Sequence, residues 1–147
     1  MRAAAAGAVQ PARARRSNGT STRTRVPRSK PGAGESIELF GVLGGAQFRT
    51  NLALVDLTPF ADGRSVRARV EVIGDGGATL DAFDVNVPVA GGIQVDDLFR
   101  VRGLGDGPKA ALIRVSPAGG LVGAYATSLD QGTNDAVLVP AALAARE

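Results

Sequence analysis

Five polar side chains crowd one short stretch, "SLDQGTNDAVLVPA" at residues 128 to 141. Asp130, Gln131, Thr133, Asn134 and Asp135 surround Gly132 and run directly into the apolar residues Ala136 to Val139. Carboxylates and amide oxygens at this density are the donor types that hold calcium, a hard cation coordinated by oxygen. The helix-flanked calcium loop needs oxygen ligands at its first, third and fifth positions, glycine at the sixth and glutamate at the twelfth. Counted from Asp130, those positions fall on Asp130, Gly132, Asn134, Asp135 and Ala141, so the pattern fails. Asp, Asn and Thr side chains also accept hydrogen bonds from nearby backbone amides and hold a turn without any ligand. A ligand-free turn is therefore the expected role. The alternative is a looser calcium site, made by Asp130 and Asp135 with backbone carbonyls or with Asp75 or Asp62 from a neighbouring loop.

The remaining chemistry-bearing residues fare worse. The chain has no histidine and no cysteine. It therefore lacks the commonest base near neutral pH, the thiolate nucleophile and any disulfide framework. Ser116 and Ser128 need a base, and the lysines are confined to Lys30 and Lys109. "GLGDGPK" at residues 103 to 109 has the glycines and lysine of a phosphate loop but not its spacing, and Pro108 interrupts the Gly-Lys pair. It reads as a connection between strands. Asp96 and Asp97 are adjacent, and in extended chain adjacent side chains diverge, so they serve better at a turn than as an acid and base pair. Sugar platforms are usually aromatic, yet there is no tryptophan and one tyrosine, Tyr125, whose ring is expected on the core with its hydroxyl at the rim. No catalytic residue, cofactor or metal is assigned.

The elements that must position these residues are strands. From Ser36 onward, short runs rich in β-branched residues are cut by glycine pairs, with almost no apolar repeat at helical spacing. The expected strands are residues 37–43, 47–57, 65–73, 78–89, 93–95, 110–115, 121–128 and 136–139. Val66, Ala68, Val70 and Val72 alternate with Arg67, Arg69 and Glu71, which puts the apolar set on one face and the charges on the other. Phe83, Val85, Val87 and Val89 repeat the rule against Asp84, Asn86 and Pro88. "GDGG" at residues 74 to 77 joins the two runs as a hairpin turn. Pro88 cannot donate to a ladder, so that strand should end at an edge or leave its sheet. "QVDDLF" at residues 94 to 99 should cap one end, with Leu98 and Phe99 turned inward.

Charge divides the chain. Residues 1 to 34 hold Arg2, Arg13, Arg15, Arg16, Arg23, Arg25, Arg28 and Lys30 and no acid. From Glu35 onward nine basic residues face fourteen acids, a net charge of minus five. The first segment has almost no large apolar side chain and is expected to be disordered, because it cannot bury enough surface to offset its ordering entropy. It reads as a linker of a longer parent chain or a misplaced start. The alternative is an arm whose arginines engage nucleic acid or another polyanion. No apolar run approaches the length that spans a bilayer, and "AAAAGAV" is too short and weakly apolar for a signal-peptide core.

"FRTNLALVD" (residues 48 to 56), "IQVDDLF" (93 to 99), "ALIRVSPAGGLVGAYATSLD" (111 to 130) and "TNDAVLVPA" (133 to 141) follow one another in an order that resembles an extracellular β-sandwich repeat. Repeats of this family occur in secreted or surface multidomain proteins of bacteria, often near their C-termini. The resemblance implies an all-β, immunoglobulin-like antiparallel sandwich of seven or eight strands over residues 35–142, followed by a tail at 143–147. It further implies a non-catalytic spacer, adhesion or protein-interaction module, extracellular or on the cell surface, meeting a protein or a surface glycan. Such a module is expected to be monomeric in isolation. The competing reading is a basic-arm protein, which would be cytoplasmic, with the sandwich as scaffold.

Overall fold

The structure is a computed structural model that describes residues 34–59 and 63–144. Among these described residues nine strands and one helical turn follow in order: β1 (Ile37–Gly44), β2 (Phe48–Asp56), β3 (Val66–Gly74), β4 (Thr79–Val87), β5 (Gly92–Val95), α1 (Leu98–Val101), β6 (Lys109–Pro117), β7 (Val122–Asp130), β8 (Ala136–Pro140) and β9 (Ala142–Leu143). They form two antiparallel sheets, a five-stranded one ordered β4-β3-β6-β1-β9 and a four-stranded one ordered β5-β2-β7-β8. The fold is an all-β sandwich. All eight expected strands are present, shifted at their ends by one or two residues. The added β9 lies in the alanine-rich "AALAA", which has no alternation to announce it; it pairs with Ile37 and Glu38. Ala144 N then donates to Ser36 O, so the boundary expected at residue 142 falls inside the sheet.

Alternation dictates the layers. Val66, Ala68, Val70 and Val72 of β3 are buried, whereas Arg67 and Arg69 are exposed and salt-bridged to Asp84 of β4. The inner face of this sheet adds Leu39, Val42, Val87, Ile113 and Val115. It packs on Leu52, Leu54, Val122, Ala126 and Val139 of the other sheet. Leu98 and Phe99 close one end of this core, as expected for residues 94 to 99. Residues 74–77 form the expected turn, with Gly77 at φ +79° and its N–H donating to Gly74 O at 2.8 Å. β4 is an edge strand that ends at Val87, before Pro88, because Pro88 has no donor to extend the ladder. Val89, expected on the inner face, therefore lies outside the strand and is exposed.

One strand carries an irregularity that period two cannot predict. Leu39 and Val42 are both fully buried although three positions apart, which a regular strand forbids. A bulge between them, with Gly41 at φ +72°, resets the parity and expels Phe40 to solvent.

Candidate functional site

The polar stretch of residues 130–135 joins β7 to β8. Asp130 N donates to Asp135 O at 2.9 Å, and Asn134 N donates to Asp130 O at 2.8 Å with Asn134 in the left-handed region at φ +62°. Asparagine tolerates that conformation better than most residues. Asp130 Oδ1 accepts from the Gly132 amide at 2.8 Å and the Thr133 amide at 3.4 Å, while Oδ2 accepts from Gln47 Nε2 at 3.0 Å. Gln131 extends the tie, donating from its backbone to Gln47 O and from its side chain to Ala46 O. Thr133 Oγ1 accepts from Asp135 N at 3.2 Å. The Asp130 carboxylate is thus turned onto its own turn and onto the β1–β2 connection. Asp75 lies in the β3–β4 turn of the other sheet, two strands away from β1, and Asp62 lies outside the described residues. Among the described residues no group of three metal-ligating side chains converges.

Two outcomes are expected of this turn. Millimolar calcium should leave the Tm unchanged, because a ligand that does not bind the native state cannot stabilise it. A calcium-dependent rise that disappears in Asp130→Ala or Asp135→Ala would overturn the turn assignment. The Gly132 amide, then the Gln47 side chain and the Thr133 amide, hold the Asp130 carboxyl below the ordinary aspartate value. A depressed folded-state pKa contributes stability that is present above the unfolded value of about 3.9 and lost as pH falls through the folded one. The stability gap between wild type and Asp130→Ala, read from urea midpoints, should accordingly be wider at pH 7 than at pH 2.5. A gap independent of pH contradicts the assignment.

The other residues singled out by chemistry are dispersed. Asp97 precedes α1 at φ +48° but its side chain makes no cap; it pairs with Arg100 at 2.7 Å instead, while Asp96 accepts from Gln94 Nε2. Ser116 shares a hydrogen bond with Ser36 at 2.8 Å. Ser128 is buried and bonded to Thr50 Oγ1 at 2.8 Å, and Thr50 donates to Leu43 O across the sandwich. This inter-sheet tie has no signal in the sequence, because Thr50 and Ser128 are 78 positions apart and nothing local connects them. Lys109 Nζ donates to Leu104 O, within the connection between α1 and β6. Arg13, Arg15, Arg16, Arg23, Arg25 and Arg28 lie outside the described residues.

Tyr125 departs from expectation. Val122, Ala124, Ala126 and Ser128 take the inner parity of β7, so Tyr125 falls on the outer face and is 42% exposed. It stands in register with Ala53 of β2 and Pro140 of β8. Around it, the outer parity of the four-stranded sheet presents Val55, Thr127 and Leu138, the last 63% exposed. Leu57 leans over Gly123, where an added Cβ would stand 2.8 Å from its Cδ1. The only charge on these strands' outer parity is Arg49, near one end. The opposite outer face is different in kind. It carries the Arg67–Asp84–Arg69 cluster and the pair between Glu38 and Arg114, at 2.8 Å. "LALV" and "VGAYATSL" contain no charge at either parity, and that absence is the sequence signal for a strand apolar on both faces.

No protein-family model matches the chain, and no curated protein matches it in sequence. Among solved structures, the crystal structure of Thermotoga maritima 1070 is similar with a TM-score of 0.57 over 80% of this chain and 97% of that one. The two share 12% sequence identity, so the likeness concerns the fold alone.

Proposed function

We propose that the chain is a non-catalytic, immunoglobulin-like β-sandwich module that serves as a spacer, adhesion or protein-interaction domain of a secreted or surface protein. The observation that carries this reading is the contrast between its two outer faces, one laced with ion pairs and one nearly uncharged with Tyr125, Leu57 and Leu138 open to solvent. Contiguous exposed apolar surface on a soluble sandwich marks a place where another surface docks. The β1→β2 and β6→β7 connections, each passing from one sheet to the other, support the immunoglobulin-like description. Antibody raised against the chain should label intact cells of the source organism without permeabilisation. Labelling that requires permeabilisation overturns the surface assignment. Retention on those cells should fall at least tenfold in Tyr125→Arg; undiminished retention removes the proposed face.

A second reading is favoured by the segregation of charge. Gly34 N donates to Gly120 O, so the basic segment joins the domain at the end that holds the β6–β7 connection. The turns bearing Asp75, Asp106, Asp130 and Asp135 lie at the other end. The eight positive charges are thus attached away from these four carboxylates, which would oppose a polyanion. Deleting residues 1–33 should leave the Tm and β-type circular dichroism within error, while any binding to DNA, RNA or heparin should vanish. Such binding should weaken steeply with salt and show no sequence preference. Tight binding at physiological salt that is lost on this deletion promotes this reading over the first, and loss of folding on truncation shows that the segment belongs to the domain.

A further inference from the structure

The four edges of the two sheets are not protected alike. β4 carries Asp81 and Asp84, each ion-paired, with a register shift near its start and Pro88 just beyond its end. β9 is two residues long, and β5 is four residues long and runs into Asp96 and Asp97. β8 is "AVLVP", without a charge, and Val137 and Leu138 are 54% and 63% exposed. Charged side chains, short length and bulges are the devices that keep a sheet edge from pairing with another chain. β8 has only its terminal proline.

The hydrogen bonds of the β7–β8 hairpin fix which backbone groups remain available. Asp130 N donates to Asp135 O and Ala141 N to Ala124 O, so residues 135, 137, 139 and 141 turn their N–H and C=O groups toward β7. Ala136, Leu138 and Pro140 turn theirs away from it. Such a row takes another strand. We propose that its occupant is β8 of a second copy, paired antiparallel about a twofold axis through Leu138, which joins the two four-stranded sheets into one eight-stranded sheet.

Self-complementarity argues for this occupant. With Leu138 opposite Leu138 of the second copy, the two exchange both N–H···O bonds. Ala136 then meets Pro140 of the second copy, and each Ala136 N–H finds the Pro140 carbonyl. About four hydrogen bonds form, and no outward N–H is left without an acceptor. The missing proline donor leaves unpaired only the two Ala136 carbonyls, at the ends of the ladder, where water reaches them. Charge agrees as well. The domain from Glu35 onward is net negative, so copies approaching through a carboxylate-bearing turn repel, whereas the β8 edge brings no like charges together and directs the two Asp135 residues to opposite ends. Val137 lies directly opposite Val139 of the second copy, in a non-hydrogen-bonded pair, and Leu138 meets its own counterpart next to Thr127. The sequence alone points to a monomer; an edge that no strand among the described residues covers points to self-pairing, which holds wherever the protein resides.

A five-residue ladder is a small interface, so the association is expected to be weak. Sedimentation equilibrium of the full chain should show a mass rising from 14.9 kDa toward twice that value as concentration is raised from about 10 μM to 1 mM. Amide exchange at Leu138 should slow at least threefold over the same range. Leu138→Pro removes the central outward donor but none of the bonds to β7, and should stay monomeric throughout. Leu138→Lys places like charges across the twofold axis and should also be monomeric with an unchanged Tm, which keeps the test open should the proline variant not fold. A mass constant to 1 mM in the wild type overturns the proposal, as does a mass shift preserved in the folded variants.

Discussion

Val70→Asp is expected to destabilise the domain by about 4 kcal/mol or more, while Arg69→Asp, one residue away, should cost about 1 kcal/mol or less. Val70 is fully buried on the inner face of β3, between Phe83 of β4 and Val115 of β6. A carboxylate there loses its water and gains no cation, because the arginines of β3 project from the opposite face. Arg69 sits half-exposed at 3.4 Å from Asp84, a pair whose loss is screened by solvent and shared with the stronger Arg67 contact at 2.6 Å. Most small domains have only about 5 to 15 kcal/mol of total stability. The first variant should therefore be largely unfolded at moderate temperature, and the second should melt within a few degrees of wild type. Equal melting temperatures would falsify the register of the β3–β4 hairpin.

That register was legible before any coordinates because the hairpin has one wet and one dry face, and polarity then alternates with the backbone. The same reasoning misplaced Tyr125 for a physical reason. β7 lies between β2 and β8, has no charged residue before Asp130, and offers no polarity difference by which to tell its faces apart. An aromatic ring in such a strand looks like core, yet parity with Ala124 and Ala126 sends it outward. The bulge at Gly41 and the short β9 escaped notice for a related reason. A bulge changes period two through a single backbone torsion, and a two-residue strand, Ala142–Leu143, is too short to show a period at all. The polar turn was legible as a turn because its residues carry their own hydrogen-bonding logic: Asp130 binds the amides two and three residues on. Its long-range tie to Gln47 was not, since nothing local connects residues 83 positions apart.

What separates the candidate interaction surface from the rest of the molecule is therefore an absence of charge, and it extends around the sheet. The outer face at Tyr125 and the β8 edge at Leu138 are contiguous through Pro140. Pairing of two β8 edges would double the exposed apolar face while keeping it on one side of the joined sheet. A module that associates weakly through its edge could then present two copies of a docking face at once, and two weak contacts made together bind far more tightly than either alone.

The largest side chain at the closed end of the core provides the last test. Phe99 is buried against β1, where Gly44 leaves room for its ring: a Cβ added at Gly44 would stand 2.4 Å from two of the ring carbons, Cγ and Cδ1. No carbon tolerates that approach, so the ring and the methyl cannot coexist without displacement of α1. Phe99→Ala should cost about 3 to 5 kcal/mol, through lost burial and the cavity it leaves. Gly44→Ala alone should cost about 2 kcal/mol, in the range found for overpacked cores, despite alanine's intrinsic advantage over glycine in a strand. In the Phe99→Ala background the added methyl enters the vacated space, so Gly44→Ala should become neutral or stabilising. The double-mutant cycle, read from urea midpoints, should therefore show a coupling of about 2 to 3 kcal/mol between the two sites. The same cost for Gly44→Ala in both backgrounds would mean that Phe99 does not rest on β1, and that the "QVDDLF" segment closes the sandwich by some other contact.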